Sequence, residues 1–142
     1  IVIDHHMAEI GLPVAVAVVD PNRLDDASPH KQMAAVGVAF LLCVGVNRAL
    51  REASWYTTER PEPDLRQWLD LVALGTVCDV VPLTGVNRAL VRQGLRVMAE
   101  RRNVGLAALA PPAQAGEGTQ PSPGLRATLF RSWEEGSGGG FS

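Results

Sequence analysis

Apolar residues form two short β-branched runs near the start of the chain, each followed directly by an acidic residue. Ile1-Val2-Ile3 precedes Asp4, and an unbroken apolar run from Val14 to Val19 precedes Asp20. Short uninterrupted runs of this kind are typical of parallel strands that are covered on both faces. The pattern predicts strands over residues 1–4 and 14–19, and the proline after Asp20 ends the second one.

Longer segments have helical patterns. Residues 33–53 are apolar almost all round between Val36 and Val46, which predicts a buried helix. Residues 64–73 follow with helical spacing of apolar positions, and Asp64 with Gln67 resembles a capping box. A third helix is expected over about residues 86–102, capped by Thr84 or Asn87. Its predicted buried face consists of Leu90, Gly94, Leu95 and Met98.

The composition is that of a globular domain or a piece of one, with 142 residues of which 46% are hydrophobic. The net charge of −2 does not by itself indicate nucleic-acid binding. There is no signal-peptide pattern or membrane-length apolar stretch, so we expect a cytoplasmic protein with no membrane partner. Cys43 and Cys78 lie in apolar contexts and are expected to be reduced core residues, with Cys78 a less favoured soft metal ligand.

Asp4-His5-His6 is the first candidate for chemistry. It follows the first predicted strand, and open α/β sheets bind their ligands at the carboxyl ends of strands. Imidazole and carboxylate groups suit Mn²⁺, Zn²⁺ or Fe²⁺, and carboxylates also suit Mg²⁺. The alternative is that these three polar residues cap the strand and face water.

Asp79 is the second candidate, because it is a single acid inside the apolar segment Gly75–Leu83. An ionised carboxylate among valines is costly to bury without a partner, and a metal ion would satisfy it. The alternative is that Asp79 caps a loop or accepts backbone N–H bonds.

Together these segments resemble the DHH phosphoesterase family, and within it the RecJ subfamily of 5′→3′ exonucleases specific for single-stranded DNA. Asp4-His5-His6 is similar to the name-giving motif, and Gly75–Leu83 to the family's later acidic motif. The intervening and following similar segments are Asp20-Pro21-Asn22, Ala35–Phe40, Asn87–Val91 and Gly94-Leu95. The resemblance covers about residues 1–109.

The resemblance implies hydrolysis of phosphodiester or phosphoanhydride bonds at a two-metal centre, with two Mn²⁺ (or Mg²⁺) ions. It implies that His5 and Asp79 are metal ligands and that Asp4 binds metal or orients the histidines. His6 would contact a substrate phosphate or the leaving group. Gly37 and Arg88 are further candidate substrate contacts.

Two other groups of residues are compatible with single-stranded DNA as the partner. Arg88, Arg92 and Arg96 recur every four residues and share one helix face, which is either a contact for the DNA backbone or a solvated face. Trp55 and Tyr56 either stack on bases or anchor the core.

The fold class expected is α/β, with residues 1–110 forming part of a mostly parallel, helix-flanked sheet of DHH type. The family's two aspartate motifs upstream of the DHH motif do not occur in this sequence, so we expect a domain fragment that is inactive alone. Residues 111–142 contain half of the glycines and are expected to be a disordered or unrelated tail.

Three functions therefore stay open. The chain is part of a RecJ-like exonuclease, or part of another DHH phosphoesterase acting on pyrophosphate, cyclic dinucleotides or oligonucleotides, or a non-catalytic interaction module. The sequence does not determine the oligomeric state.

Overall fold

A computed structural model describes residues 1–109, so the predicted tail over 111–142 lies outside the described residues. The described part is an α/β arrangement with a small parallel sheet and several helices. Its elements are β1 (Val2–Ile3), β2 (Val18–Val19), α1 (Ala35–Glu52), a 3₁₀ helix (Leu65–Trp68), α2 (Leu69–Cys78), α3 (Gly85–Ala99) and α4 (Val104–Leu109). Within these residues no helix has the length and apolarity needed to cross a bilayer.

The two strands are parallel, and the register pairs Val2 with Val18 and Ile3 with Val19. The prediction of a buried strand over 14–19 is wrong for its first part, because Val14 and Val16 are fully exposed. The register explains this difference. The Ala17 carbonyl still accepts the Val2 amide at 2.9 Å, whereas residues 14–16 lie beyond the start of β1 and have no partner strand among the described residues.

Helix α1 matches its predicted bounds closely, but the prediction that it is buried all round is wrong. Only Gly37, Val38 and Asn47 are buried, whereas apolar residues of its middle turns, such as Leu41 and Val44, are exposed. The pattern identified the helix correctly. Burial depends on what packs against it, and in the described chain the parts of α1 that are covered closely are its first turns and the position of Asn47.

Helices α2 and α3 form the most closely packed pair. Gly94 lies against the first turn of α2, where an added Cβ would be 2.0 Å from the carbonyl oxygen of Leu69. The later part of α3 therefore contacts the start of α2, and the two helices run in opposite directions. Gly75 makes a similar close approach to Val36 at the start of α1.

Several local predictions need correction. Helix α2 continues to Cys78, about five residues beyond its predicted end, and the buried positions of α3 are Asn87, Val91 and Gly94. Leu90, Leu95 and Met98 are only partly buried. Both Cys43 and Cys78 are exposed free thiols instead of core residues, because α1 is uncovered at Cys43 and α2 ends at Cys78.

Candidate metal-binding cleft

The end of β1 positions the first site residues. The Asp4 amide donates to the Val19 carbonyl at 3.1 Å, which continues the strand pairing to the beginning of the motif. Beyond that point the Asn22 side-chain amide donates to the His5 carbonyl at 2.6 Å and to the Lys31 carbonyl at 2.8 Å. One amide group therefore ties the motif backbone to the segment that leads into α1.

His5 and Asp79 meet across the cleft. The distance from His5 Nε2 to Asp79 Oδ2 is 3.1 Å, although the two residues are far apart in sequence. The His5 side chain is 15% exposed and the Asp79 side chain 36%. Asp79 reaches this position because it is the C-cap of α2, whose close packing on α1 and α3 fixes where that helix ends.

Asp4 and His6 form a second, more exposed pair. The His6 Nδ1 to Asp4 Oδ1 distance is 2.7 Å, and the same carboxylate oxygen accepts the His5 amide at 2.7 Å. The hydrogen bond from His6 is the largest cause that lowers the Asp4 pKa to about 2. The same bond raises the His6 pKa. Asp4 is therefore an ionised carboxylate that orients His6 and the turn after the strand.

The cleft between these residues is open and has a volume of about 400 Å³. Its lining residues are His5, His6, Ala34, Ala35, Val36, Gly75, Cys78 and Asp79. The cleft thus lies between the end of β1, the start of α1 and the end of α2.

The two helix ends give this cleft opposite polarities at its sides. The N-terminus of α1, an 18-residue helix, presents amide groups that lack intrahelical partners, and Ala34 supplies no side-chain cap. Such a helix end attracts anions, phosphate in particular. The C-terminus of α2 carries carbonyl groups and the Asp79 carboxylate, which attract cations. A cation beside Asp79 and an anion beside Ala35 would therefore both be favoured.

The donor set fits a divalent cation only in part. His5 Nε2 and Asp79 Oδ2 supply one nitrogen and one oxygen, a combination that suits Mn²⁺. No group of three or more potential ligands occurs within residues 1–109. Asp4 faces His6 and does not line the cleft. The described residues therefore hold a pair of donors for one ion and do not by themselves form a two-ion centre.

Gly37 and Arg88 do not line this cleft. Gly37 is buried in the first turn of α1 against Met33, with Leu90 also in contact distance of its Cβ position. Arg88 lies on the exposed side of the first turn of α3. The structure thus brings His5, His6 and Asp79 to one cleft and places these two predicted substrate contacts elsewhere.

Sequence reasoning missed Asp20 and Asn22 as residues of this region. Asp20 is buried, and its carboxylate accepts a hydrogen bond from the Asn22 backbone N–H at 2.8 Å, which holds the backbone of the residue whose side chain binds the His5 carbonyl. Asp20 follows an apolar run exactly as Asp4 does, so the argument that selected Asp4 applied to it equally. Cys78 was expected to be a core residue, with a soft metal ligand as the less favoured alternative, and it lines the cleft.

Comparison with known proteins confirms the resemblance to RecJ as a partial match. The single-stranded-DNA-specific exonuclease RecJ of Dickeya dadantii is 48% identical over 111 residues, which are 77% of this chain and 19% of that protein. RecJ of Escherichia coli is 45% identical over 111 residues, with the same shares of 77% and 19%. RecJ of Thermus thermophilus is 38% identical over 113 residues, 78% of this chain and 15% of that protein.

The chain spans about a fifth of the length of the curated relatives it matches first. No family model matches the chain. No solved structure matches it either.

Proposed function

We propose that this chain contributes the metal-binding cleft of a RecJ-like, DHH-type exonuclease that hydrolyses phosphodiester bonds in single-stranded DNA. The observation that carries the proposal is the 3.1 Å approach of His5 Nε2 to Asp79 Oδ2. It occurs in a chain that is 48% identical to a RecJ over 111 residues. Imidazole and carboxylate donors converge where the sheet ends and where a helix N-terminus favours phosphate.

In this proposal His5 and Asp79 hold a Mn²⁺ ion, or Mg²⁺ in its place, from opposite sides of the cleft. A second ion and the remaining donors belong to parts of the enzyme outside the described residues. When bound, such an ion polarises a phosphodiester and lowers the pKa of coordinated water. Asn22 holds the His5 backbone, so the imidazole is fixed before the substrate arrives.

His6 and the start of α1 act on the substrate side of the cleft. Asp4 keeps His6 oriented, and its carboxylate raises the His6 pKa, which favours an imidazolium that donates to a phosphate oxygen. The amides at Ala35 and Val36 lie beside the same space and add donors for that anion. These groups position the phosphodiester without taking part in bond breaking.

Metal binding by the chain itself gives the first test. We expect His5→Ala and Asp79→Ala each to weaken Mn²⁺ binding at least about tenfold in calorimetry, because each removes one of two donors. His30→Ala is the matched control, since His30 is exposed and does not line the cleft. Unchanged Mn²⁺ affinity in either cleft variant would overturn the assignment of ligands.

The second test measures catalysis in a chimera, because the described residues hold only a pair of metal donors. Residues 1–109 replace the corresponding segment of E. coli RecJ, which is 45% identical to this chain over 111 residues. We expect Mn²⁺-dependent release of nucleotides from 5′-labelled single strands, and loss of most activity on His5→Ala or Asp79→Ala. Pyrophosphate and a cyclic dinucleotide are assayed in parallel. Preference for either one would favour a different DHH phosphoesterase, and no hydrolysis at all would favour a non-catalytic module.

A further inference from the structure

Positive charge is concentrated in one part of this otherwise acidic chain. Residues 80–109 contain five arginines and a single acid, Glu100, whereas the whole chain has a net charge of −2. Four of these arginines lie on or directly after α3, at positions 88, 92, 96 and 101. The net charge of the whole chain therefore does not reveal that this segment is positive.

The packing of α3 determines which way these arginines face. Asn87, Val91 and Gly94 form the buried side of the helix, against α2 and the segment that precedes α1. Arg88, Arg92 and Arg96 recur every four residues and are all exposed. They therefore form a stripe along one side of α3, which we call the arginine face.

The arginine face starts at the end of the helix pair where the cleft lies. Helices α2 and α3 run in opposite directions, since Gly94 contacts the first turn of α2 at Leu69. The start of α3 is thus at the same end as Asp79, to which it is joined by the short loop over residues 80–84. The stripe leads from Arg88 near that end to Arg96 two turns farther away.

Acidic partners do not neutralise the middle and far end of this stripe. Elsewhere in the described chain Arg48 pairs with Glu52 and Arg66 with Asp64. Glu100, the acid of this segment, pairs with Arg102. Arg96 contacts the neutral Gln93, and the ion pairs of residues 1–109 include neither Arg92 nor Arg96.

We propose that the arginine face is a track for the sugar-phosphate backbone of single-stranded DNA, leading to the cleft at His5 and Asp79; this rests on the function proposed above. Positions four residues apart on a helix are separated by about 6 Å along its axis. Phosphates along one strand of B-DNA are about 3.4 Å apart along the axis, which is close to half of the spacing between these arginines. The stripe therefore suits a strand that is stretched and unstacked.

The test is binding of fluorescent oligo(dT) by the full chain in EDTA, measured by anisotropy over a range of salt concentrations. Arg92→Gln with Arg96→Gln is expected to weaken binding at low salt at least about fivefold. It should also reduce the slope of log K against log salt by about 1.4, since each phosphate contact on a single strand contributes about 0.7. Arg92→Lys with Arg96→Lys keeps both charges and is expected to keep the wild-type slope.

The matched control is Arg48→Gln with Arg66→Gln, which removes the same charge from exposed positions outside α3. We expect it to change the affinity less than twofold. Equal weakening by the two glutamine pairs would overturn the track, as would the absence of metal-free binding or tighter binding of a duplex of equal length. Because this assay contains no metal, its outcome is independent of hydrolysis in the chimera. Failure of Mn²⁺-dependent hydrolysis there would overturn the proposed function, whereas the measured binding of single-stranded DNA by the arginine face would stand.

Discussion

Val80, the residue after Asp79, has a backbone conformation that β-branched residues rarely adopt. Its φ angle is 56°, in the left-handed region, and its side chain is 87% exposed. It occupies the position after the C-cap of α2, where glycine is the usual residue. The apolar side chain therefore gains little from packing, while its Cβ strains the turn that follows a candidate ligand.

Replacing Val80 with glycine is expected to stabilise the protein. Relief of left-handed strain is worth about 1–2 kcal/mol, and the greater freedom of glycine in the unfolded chain offsets about 0.5–1 kcal/mol of this gain. We expect a net increase of about 0.5–1 kcal/mol in the free energy of unfolding, measured by urea denaturation. Val80→Ala keeps the Cβ and should gain less, so an equal or larger gain for alanine would contradict the strain argument.

Individual site residues were predictable from the sequence only where a side chain that can bind metal stands beside or within an apolar segment. Asp4 and His5 directly follow an apolar run, and Asp79 is a single acid inside one, and these patterns directed attention to them. That His5 Nε2 and Asp79 Oδ2 lie 3.1 Å apart was not predictable from local pattern, because it depends on where α2 ends. Asn22 was missed since an amide that binds two backbone carbonyls has no distinctive sequence signal.

At the scale of elements, two glycines inside helices test how much of the packing is specific. Gly94 has the Leu69 carbonyl oxygen 2.0 Å from the position of an added Cβ, and backbone atoms cannot rotate away. Gly45 in α1 has nothing within 4 Å of the same position. We expect Gly94→Ala to lower the free energy of unfolding by at least about 2 kcal/mol. Gly45→Ala should raise it by about 0.5–1 kcal/mol.

Thermal and urea unfolding of the two alanine variants measures this difference. Both changes have the same intrinsic effect on helix propensity, so the difference between them isolates the contact of α3 with α2. Similar stabilities for the two variants would mean that the helices are not packed as closely as the structure shows.

Glu62 attaches the loop before the 3₁₀ helix to α1. Its carboxylate accepts hydrogen bonds from the Arg51 guanidinium and from the Asn47 side-chain amide, the latter at 2.7 Å. The bond from Arg51 is the largest cause that lowers the Glu62 pKa below its ordinary value of 4.5. A carboxyl whose folded pKa is lowered stabilises the protein above its unfolded pKa, and this contribution is lost as pH falls through the folded value.

The stability difference between the wild type and Glu62→Gln should therefore be constant above about pH 5 and shrink as pH falls below 4.5. Urea unfolding at a series of pH values measures it. Glu59→Gln removes an acid of the same loop that takes part in no ion pair of residues 1–109, and serves as control. A Glu62→Gln difference that does not depend on pH would contradict the role given to the ionised carboxylate.

Element type was more predictable than element surroundings. Helical spacing located α1 and α3 to within a few residues and α2 to within about five, because periodicity reports which residues share a face. Whether that face is covered depends on other segments, so α1 is exposed where a fully apolar surface had indicated burial. The run at 14–19 forms a strand only at its end, over Val18–Val19, for the same reason, since a strand needs a neighbour and Val14 has none among the described residues.

For the whole molecule, both the sheet and the matched share of the RecJ relatives are small. The described residues form a two-stranded parallel sheet with both edges open, and the chain matches only about a fifth of the length of its RecJ relatives. The parallel strand pair and the helices together make the described part an α/β arrangement. The donors at His5 and Asp79 are likewise a pair where a two-ion centre needs more.

The open sheet edge and uncovered apolar residues lead to a prediction about self-association. Val14 and Val16 are 107% and 97% exposed and lie next to the short strand β2. Exposed apolar segments beside an unpaired strand edge favour pairing between chains. We expect the chain alone to associate as its concentration rises, in sedimentation velocity and light scattering. Val14→Lys with Val16→Lys should shift it toward the monomer, because charge at an edge opposes such pairing.

The control for added charge is Val104→Lys with Leu109→Lys, since both residues are exposed and belong to α4 instead of the sheet. If association is a property of the strand edge, this pair should associate like the wild type although it carries the same additional charge. If instead both lysine pairs reduce association equally, general charge repulsion is the cause. A wild-type chain that stays monomeric at high concentration would show that the exposed edge at Val14 and Val16 does not pair with a second copy.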